Sequence, residues 1–72
     1  MRPIEFIRTK VLDVTQAQLA VIAMTTQPTV SRWEKGDSEP DRGELDLIRA
    51  EVISRGHSWN DRWFFEVPTE AS

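Results

Sequence analysis

Apolar residues recur at three- and four-residue intervals in two parts of the chain, one near the N-terminus and one just before Gly56. This spacing predicts two amphipathic helices. The first is predicted over roughly 3–11, where Pro3 suits the opening turn. The other is predicted over roughly 41–55, with Asp41 as its cap and Gly56 as its stop. Their apolar stripes are Ile4, Ile7 and Val11 in the first helix and Leu45, Ile48 and Val52 in the other.

Two shorter helices are predicted between these two. Thr15 is a suitable N-cap for the first of them, and Gln18 three residues later completes a capping box. Thr26 caps the second, and Gly36 ends it. Because only about three residues separate the two short helices, the pattern over 15–36 is that of a helix-turn-helix.

The second helix of this motif carries polar groups outward and turns Val30 and Trp33 inward. Gln27 and Arg32 share the outward face loosely, since five residues correspond to a rotation of about 140°. Gln can pair with adenine and Arg with guanine through two hydrogen bonds, so the pattern predicts contacts to base edges in double-stranded DNA. The alternative interpretation is a pair of solvated polar side chains on an amphipathic helix.

Charge is distributed unevenly along the chain. The formal net charge is −3 at pH 7. Residues 1–36 hold five basic and three acidic side chains, whereas residues 37–72 hold four basic and nine acidic ones. A basic motif and an acidic remainder can orient a protein on DNA and limit non-specific binding. The mild positive charge of the motif half predicts few phosphate contacts.

Length and composition exclude several classes of protein. The 72 residues allow one small domain, predicted over 1–68, with a loose tail over 69–72. Because there is no cysteine and only one histidine, His57, no disulfide, metal centre or cofactor is expected. No catalytic set of side chains has supporting context, so no enzyme activity is expected. No segment has the apolar length of a signal peptide or a membrane span, so a cytoplasmic protein is expected.

Four of the six aromatic residues lie close together near the C-terminus: Trp59, Trp63, Phe64 and Phe65. They follow a four-helix core that has little room for them, and left exposed they would form an apolar patch typical of an interaction site. An extended segment is predicted over 63–67, because aromatic and β-branched residues favour strands. We therefore predict that these aromatic residues, within segment 57–68, form a homodimer interface. The alternative is that this segment folds back and covers its own core.

Two stretches of the motif resemble the Cro/CI-type helix-turn-helix family, also called the xenobiotic-response-element family. They are Gln-x-x-Leu-Ala at 16–20 and Ser-Arg-Trp-Glu-x-Gly at 31–36, and the likeness extends over roughly 4–55. The resemblance implies an all-α, lambda-repressor-like domain of four or five helices. It also implies a homodimer that binds operator DNA and represses transcription. With the aromatic segment added, the predicted fold is this all-α domain followed by a short extended C-terminal segment.

The same resemblance implies roles for individual side chains. The glutamine matching Gln16 anchors the motif on a phosphate in that family. The positions matching Gln27, Pro28 and Arg32 face base edges in that family. Those matching Thr26 and Lys35 face the DNA backbone. With the outward-facing Thr29 and Ser31 added, the predicted DNA-contacting residues are Gln16, Thr26, Gln27, Pro28, Thr29, Ser31, Arg32 and Lys35.

Several residues in and near the motif have other interpretations. Trp33 matches a core position of the family, and Glu34 matches a structural one. Arg8 is interpreted as a solvated surface charge. Met24 stands where the family commonly has glycine, and a left-handed backbone there would cost methionine about 1–2 kcal/mol, so a strained or reshaped turn is expected. Pro28 has no N–H to donate, which restricts it to contact with a thymine methyl or a sugar.

A function of another class stays open at this point. The helix-turn-helix would then serve as a scaffold for a protein-interaction module or an antitoxin-like partner. The aromatic C-terminus or the apolar pair Val21 and Ile22 would contact the other protein. The acidic net charge and Pro28 in the outward helix favour this alternative.

Overall fold

Four α-helices, a π-helical segment and a 3₁₀ turn make up the computed structural model, which describes residues 2–64 and, for Phe64, the backbone alone. Helix α1 (Pro3–Phe6) continues without a break into a π-helical segment, Ile7–Leu12. The remaining elements are α2 (Gln16–Ile22), α3 (Gln27–Lys35), α4 (Arg42–Ser54) and a 3₁₀ turn (Asp61–Phe64). There is no strand among the described residues, and the predicted all-α fold is confirmed.

The core lies where α1, α2, α3 and α4 meet. Its buried residues come from every one of these elements and are all apolar: Ile4, Ile7, Leu12, Leu19, Ala20, Ala23, Val30, Trp33, Ile48 and Val52. Trp33 is only 2% exposed, so its predicted core position is confirmed. The α4 stripe is also confirmed for Ile48 and Val52, whereas Leu45 is half-buried.

The first predicted helix changes geometry halfway along its length. After Phe6 the backbone takes the wider π-helical form, which ends at Asp13 in a left-handed conformation with φ 55°. The amide of Val14 then donates to the carbonyl of Arg8 at 3.1 Å, six residues back. π-Helical segments are rare, and this one places Arg8 and the end of the segment beside the helix-turn-helix.

Side-chain caps fix the start of two helices. In α2, Thr15 Oγ1 accepts from the Gln18 amide at 3.1 Å, and Gln18 Oε1 accepts from the Thr15 amide at 2.9 Å. This reciprocal pair confirms the predicted capping box. Asp41 and Glu44 form a second box at the start of α4, with both bonds at 2.8 Å.

The turn between α2 and α3 has a left-handed corner at Met24. Its φ is 58°, and its side chain is 81% exposed. The corner is closed by a bond from the Thr25 amide to the Ala20 carbonyl at 2.8 Å. The strained turn expected from the sequence is therefore present, because the chain needs a left-handed residue here and does not supply glycine.

The prediction of an extended segment over 63–67 is wrong for its first two residues. Trp63 and the Phe64 backbone lie in the 3₁₀ turn, and the Trp63 ring packs edge-on against Phe6 at 5.6 Å and against Trp59 at 5.2 Å between ring centroids. Trp59 Nε1 also donates to Asp61 Oδ1 at 2.8 Å. Contact with the half-buried Phe6 outweighs the strand propensity of these aromatic residues. Phe65 and the rest of 65–72 lie outside the described residues.

We predict that Met24→Gly raises the free energy of unfolding by about 1 kcal/mol, which corresponds to a rise in Tm of roughly 4–8 °C for a domain of this size. Glycine removes the left-handed strain, and little packing is lost because the Met24 side chain is exposed. The control is Ala17→Gly at an exposed helical position of α2, where the same loss of side chain should destabilise the fold. Thermal unfolding followed by circular dichroism measures both. A lower Tm for Met24→Gly would contradict the assignment.

Candidate nucleic-acid interface

Helix α3 is bounded by residues that suit its ends. Thr26 is the N-cap in an extended conformation, and Pro28 stands in the first turn, where its missing N–H leaves no helical bond unmade. Gly36 ends the helix with φ 85°. A Cβ at Gly36 would also lie 3.1 Å from the Arg2 guanidinium, so both backbone and space favour glycine. The nine residues between these caps form a short, well-delimited helix.

One side of α3 is buried and the other side is exposed. Val30 and Trp33 face the core. Successive residues of a helix are rotated by about 100°, so five of the predicted DNA-contacting positions fall within a sector of about 140° on the other side. These positions are Gln27, Pro28, Ser31, Arg32 and Lys35, of which Ser31 is half-buried and the others are exposed.

The polar tips of this sector are available to a ligand. Gln27, Arg32 and Lys35 form no hydrogen bond or ion pair within the part of the chain that the structure describes. An exposed amide, guanidinium and ammonium on one helix face are the donors that base edges and phosphates accept from. Gln27 and Arg32 mark the two edges of the sector, with Lys35 between them.

Two of the predicted contact residues bond to each other. The hydroxyls of Thr26 and Thr29 lie 2.9 Å apart. Thr26 occupies the N-cap position as predicted, but its side chain makes no capping hydrogen bond. Thr29 is half-buried and lies outside the exposed sector of α3. The pair therefore stiffens the first turn of α3 beside Gln27 and Pro28.

A charged network ties α3 to the two preceding elements. Arg8 forms a two-pronged ion pair with Glu34, in which Nη2 donates to Oε1 at 3.0 Å and Nε donates to Oε2. Arg8 Nη1 also donates to the Val14 carbonyl at 3.0 Å. Gln16 Nε2 donates to the same Glu34 carboxylate at 3.1 Å. The hydrogen bonds that Arg8 donates to the Glu34 carboxylate raise the pKa of Arg8, in opposition to burial, which lowers it.

The interpretation of Arg8 as a solvated charge is wrong. Its side chain is 16% exposed, and that of Glu34 is 8% exposed. The sequence did contain a signal, since Arg8 stands four residues from both Ile4 and Leu12 and therefore falls within the apolar stripe. A charge at such a position needs an oppositely charged partner. The local sequence does not identify this partner, because Glu34 lies 26 positions away.

Gln16 is half-buried at the start of α2, with one amide hydrogen directed to Glu34. The side chain is thereby held in place, and the amide retains a second N–H and its carbonyl oxygen. Through Glu34 the first turn of α2 is fixed relative to the last turn of α3. The structure thus brings Gln16 and the end of α3 together at one side of the domain.

Comparison with known proteins agrees with this geometry. A family model described as helix-turn-helix, of the Cro/CI type, matches residues 9–50, which is more than half of the chain. The chain belongs to the Cro/CI-type helix-turn-helix family. The family consists of DNA-binding transcription regulators, and this protein is one of them. Neither the curated proteins nor the solved structures contain a significant match.

Membership of this family gives the elements their roles. Helices α2 and α3 form the helix-turn-helix, and α3 stands where the family has its recognition helix. Among the described residues there is no cluster of side chains with metal-binding geometry. Within the same residues no helix is long and apolar enough to cross a membrane.

We predict that Arg8→Met lowers the free energy of unfolding by about 3 kcal/mol, because it leaves the Glu34 carboxylate buried without its cation. The double variant Arg8→Met/Glu34→Leu should recover most of this loss, since a buried ion pair can be replaced by apolar side chains at little cost. Urea unfolding of the wild type, both single variants and the double variant measures the coupling. Additive losses in the double variant would show that the two side chains act independently.

Proposed function

We propose that this regulator is a sequence-specific repressor that binds an inverted-repeat operator as a homodimer, controls its own operon, and blocks polymerase by occupying the operator. The observation that carries the proposal is the sector of α3 between Gln27 and Arg32, where Gln27, Arg32 and Lys35 are exposed and have no partner among the described residues. A helix of about 10–12 Å diameter enters the major groove of DNA, where each base pair presents a distinct set of donors and acceptors.

The two edges of the sector suit different bases. Gln27 lies at the N-terminal end of α3 and can pair with the N6 and N7 atoms of adenine. Arg32 lies in the last turn and can pair with the O6 and N7 atoms of guanine or with a phosphate. Pro28 between them offers an apolar ring, which favours a thymine methyl at the neighbouring position.

The flanking residues suit the DNA backbone. Gln16 is held by Glu34, which supports a phosphate contact made by its remaining amide hydrogen. Lys35 adds a positive charge at the other end of α3, and Thr26 lies at the helix start. The acidic second half of the chain would be repelled by phosphates, and this favours approach with the helix-turn-helix toward DNA.

We predict that Gln27→Ala and Arg32→Ala each weaken binding to the best operator by about 1–3 kcal/mol and relax the preference at one base position. Selection of bound sequences from a random DNA pool, repeated for each variant, measures both effects. Lys35→Ala is the control, because the loss of a phosphate contact should weaken binding to all sequences alike and reduce the salt slope by about one unit. Unchanged sequence profiles for both Gln27→Ala and Arg32→Ala would remove these residues from the recognition surface.

The homodimer rests on the aromatic C-terminal segment 57–68. Trp63 packs against Phe6 and Trp59 packs against Trp63, and because both tryptophans are only half-buried, part of each is left for a second subunit. The contribution of Phe64 and Phe65 stays a prediction. A homodimer would space two recognition helices by about 34 Å, one turn of DNA, and so require an inverted repeat.

Truncation after Gly56 should convert the homodimer to a monomer, as measured by sedimentation of intact and shortened chains. The shortened chain also loses the cover over Phe6, so its helical content and Tm are measured in parallel. We expect a folded monomer with a lower Tm. A shortened chain that is still a dimer would place the interface elsewhere.

A second candidate function is supported by the apolar surface at the turn. Val21 and Met24 are both about four-fifths exposed, and Ile22 next to them is half-buried. An exposed apolar pair of this kind suits contact with another protein. The random-pool selection separates the two functions, because a module that uses the helix-turn-helix only as a scaffold for protein contact would enrich no DNA sequence.

A further inference from the structure

Helix α4 presents one row of side chains on the side away from the core. Positions 42, 46, 49 and 53 are spaced by four, three and four residues, so they fall within a sector of about 60°. The row lines an open groove of about 850 Å³ together with three neighbours, and the lining residues are Arg42, Asp46, Arg49, Ala50, Ile53, Ser54 and Asp61. Ile48 and Val52, on the other side of α4, are fully buried.

The row contains polar and apolar side chains that could contact another molecule. Arg49 forms no hydrogen bond or ion pair with any other described residue, and it has no place in the recognition surface of α3. Ile53 is 52% exposed, and Ala50 beside it is exposed and small enough to let another helix approach closely. Asp46 bonds to Arg42 at 3.3 Å, and both of these side chains are largely exposed.

The charges along the row are complementary to those of a second copy that runs in the opposite direction. Consider two α4 helices that run antiparallel about a two-fold axis passing midway between positions 47 and 48. Position 46 of one copy then lies opposite position 49 of the other, and position 42 lies opposite position 53. Each Asp46 meets Arg49 of the second copy, so the contact contains two equivalent ion pairs.

We propose that this row of α4 binds a second copy of the chain in the antiparallel arrangement, an inference that rests on the proposed homodimer and extends its interface from the C-terminal segment onto α4. A parallel pair would set Asp46 beside Asp46 and Arg49 beside Arg49, and like charges at that distance repel. The charges therefore select the antiparallel pair. In it the stem of Arg42 covers Ile53 of the second copy.

The surface is continuous with the C-terminal segment. Asp61, which lines the same groove, lies in the 3₁₀ turn that carries Trp63. The second copy would thus contact α4 and the start of this turn together. A contact based on one helix pair is small, so the dimer is expected to dissociate in the micromolar range.

The test is a charge-reversal experiment on the full chain without DNA. Asp46→Arg and Arg49→Asp each create like-charge pairs across the two-fold axis, and each should raise the dimer dissociation constant by about tenfold or more. The double variant Asp46→Arg/Arg49→Asp restores opposite charges and should dimerise like the wild type. Lys10→Asp, an exposed charge reversal on the π-helical segment, is the control and should leave the dissociation constant unchanged.

An equimolar mixture of the two single variants gives the sharpest readout. One copy then carries Arg at both positions and the other carries Asp at both, so the mixture should form heterodimers while each variant alone is monomeric. Sedimentation up to about 1 mM, with one variant labelled, detects the heterodimer in the range expected for a small interface. Circular dichroism establishes that every variant is folded.

Each result has a distinct meaning. A dimeric wild type with variants and mixture unaltered would overturn this surface but leave the proposed homodimer in place. A wild type that is monomeric throughout would overturn both. Base selection by α3 is measured separately with DNA, so its failure would leave the outcome of the charge reversal unaffected.

Discussion

The partly buried ion pair between Arg8 and Glu34 holds the helix-turn-helix and the segment before it together. It joins the π-helical segment to the last turn of α3, and through Gln16 it also reaches the first turn of α2. Three elements thus meet on one carboxylate in a domain too small to bury a large apolar core. Because the pair is nearly enclosed, the loss of either partner leaves an unpaired charge, and the positions of α2 and α3 depend on both.

The π-helical segment and this ion pair are linked. The wide turn ends with the Val14 amide bonded to the Arg8 carbonyl, while the Arg8 guanidinium donates to the Val14 carbonyl. Main chain and side chain of one residue therefore fasten the connection between the first helix and the helix-turn-helix. This arrangement leaves Arg8 no freedom to serve as a phosphate contact, so the positive charge available to DNA comes from α3 and its surroundings.

The exposed sides of α3 and α4 carry different kinds of side chain. Helix α3 exposes side chains that form no bond within the described residues, as suits a surface that must bind a ligand. Helix α4 carries a row that combines the Arg42–Asp46 ion pair, the exposed Ile53, and Arg49, which has no partner within residues 2–64. We propose the first surface for nucleic acid and the second for a second copy of the chain.

Much of this fold could be predicted from local sequence. The spacing of apolar residues in α4 and the capping box of Thr15 and Gln18 each depend on residues within a few positions of one another. The same holds for the exposed sector of α3, since helical rotation alone separates Gln27 and Arg32 from Val30 and Trp33. The left-handed corner at Met24 was expected from the family resemblance instead, because Met24 stands where the family commonly has glycine. Motif spacing was enough to indicate the family.

Tertiary structure decided the features that join distant parts of the chain. No local pattern indicates that Arg8 pairs with a glutamate 26 residues later, or that Phe6 draws Trp63 into a 3₁₀ turn although its neighbours favour a strand. Backbone propensities amount to fractions of a kilocalorie per residue, whereas burying an aromatic ring or satisfying a buried charge involves about 2–4 kcal/mol. Local sequence therefore determined the helices and their faces, and long-range burial determined which faces meet.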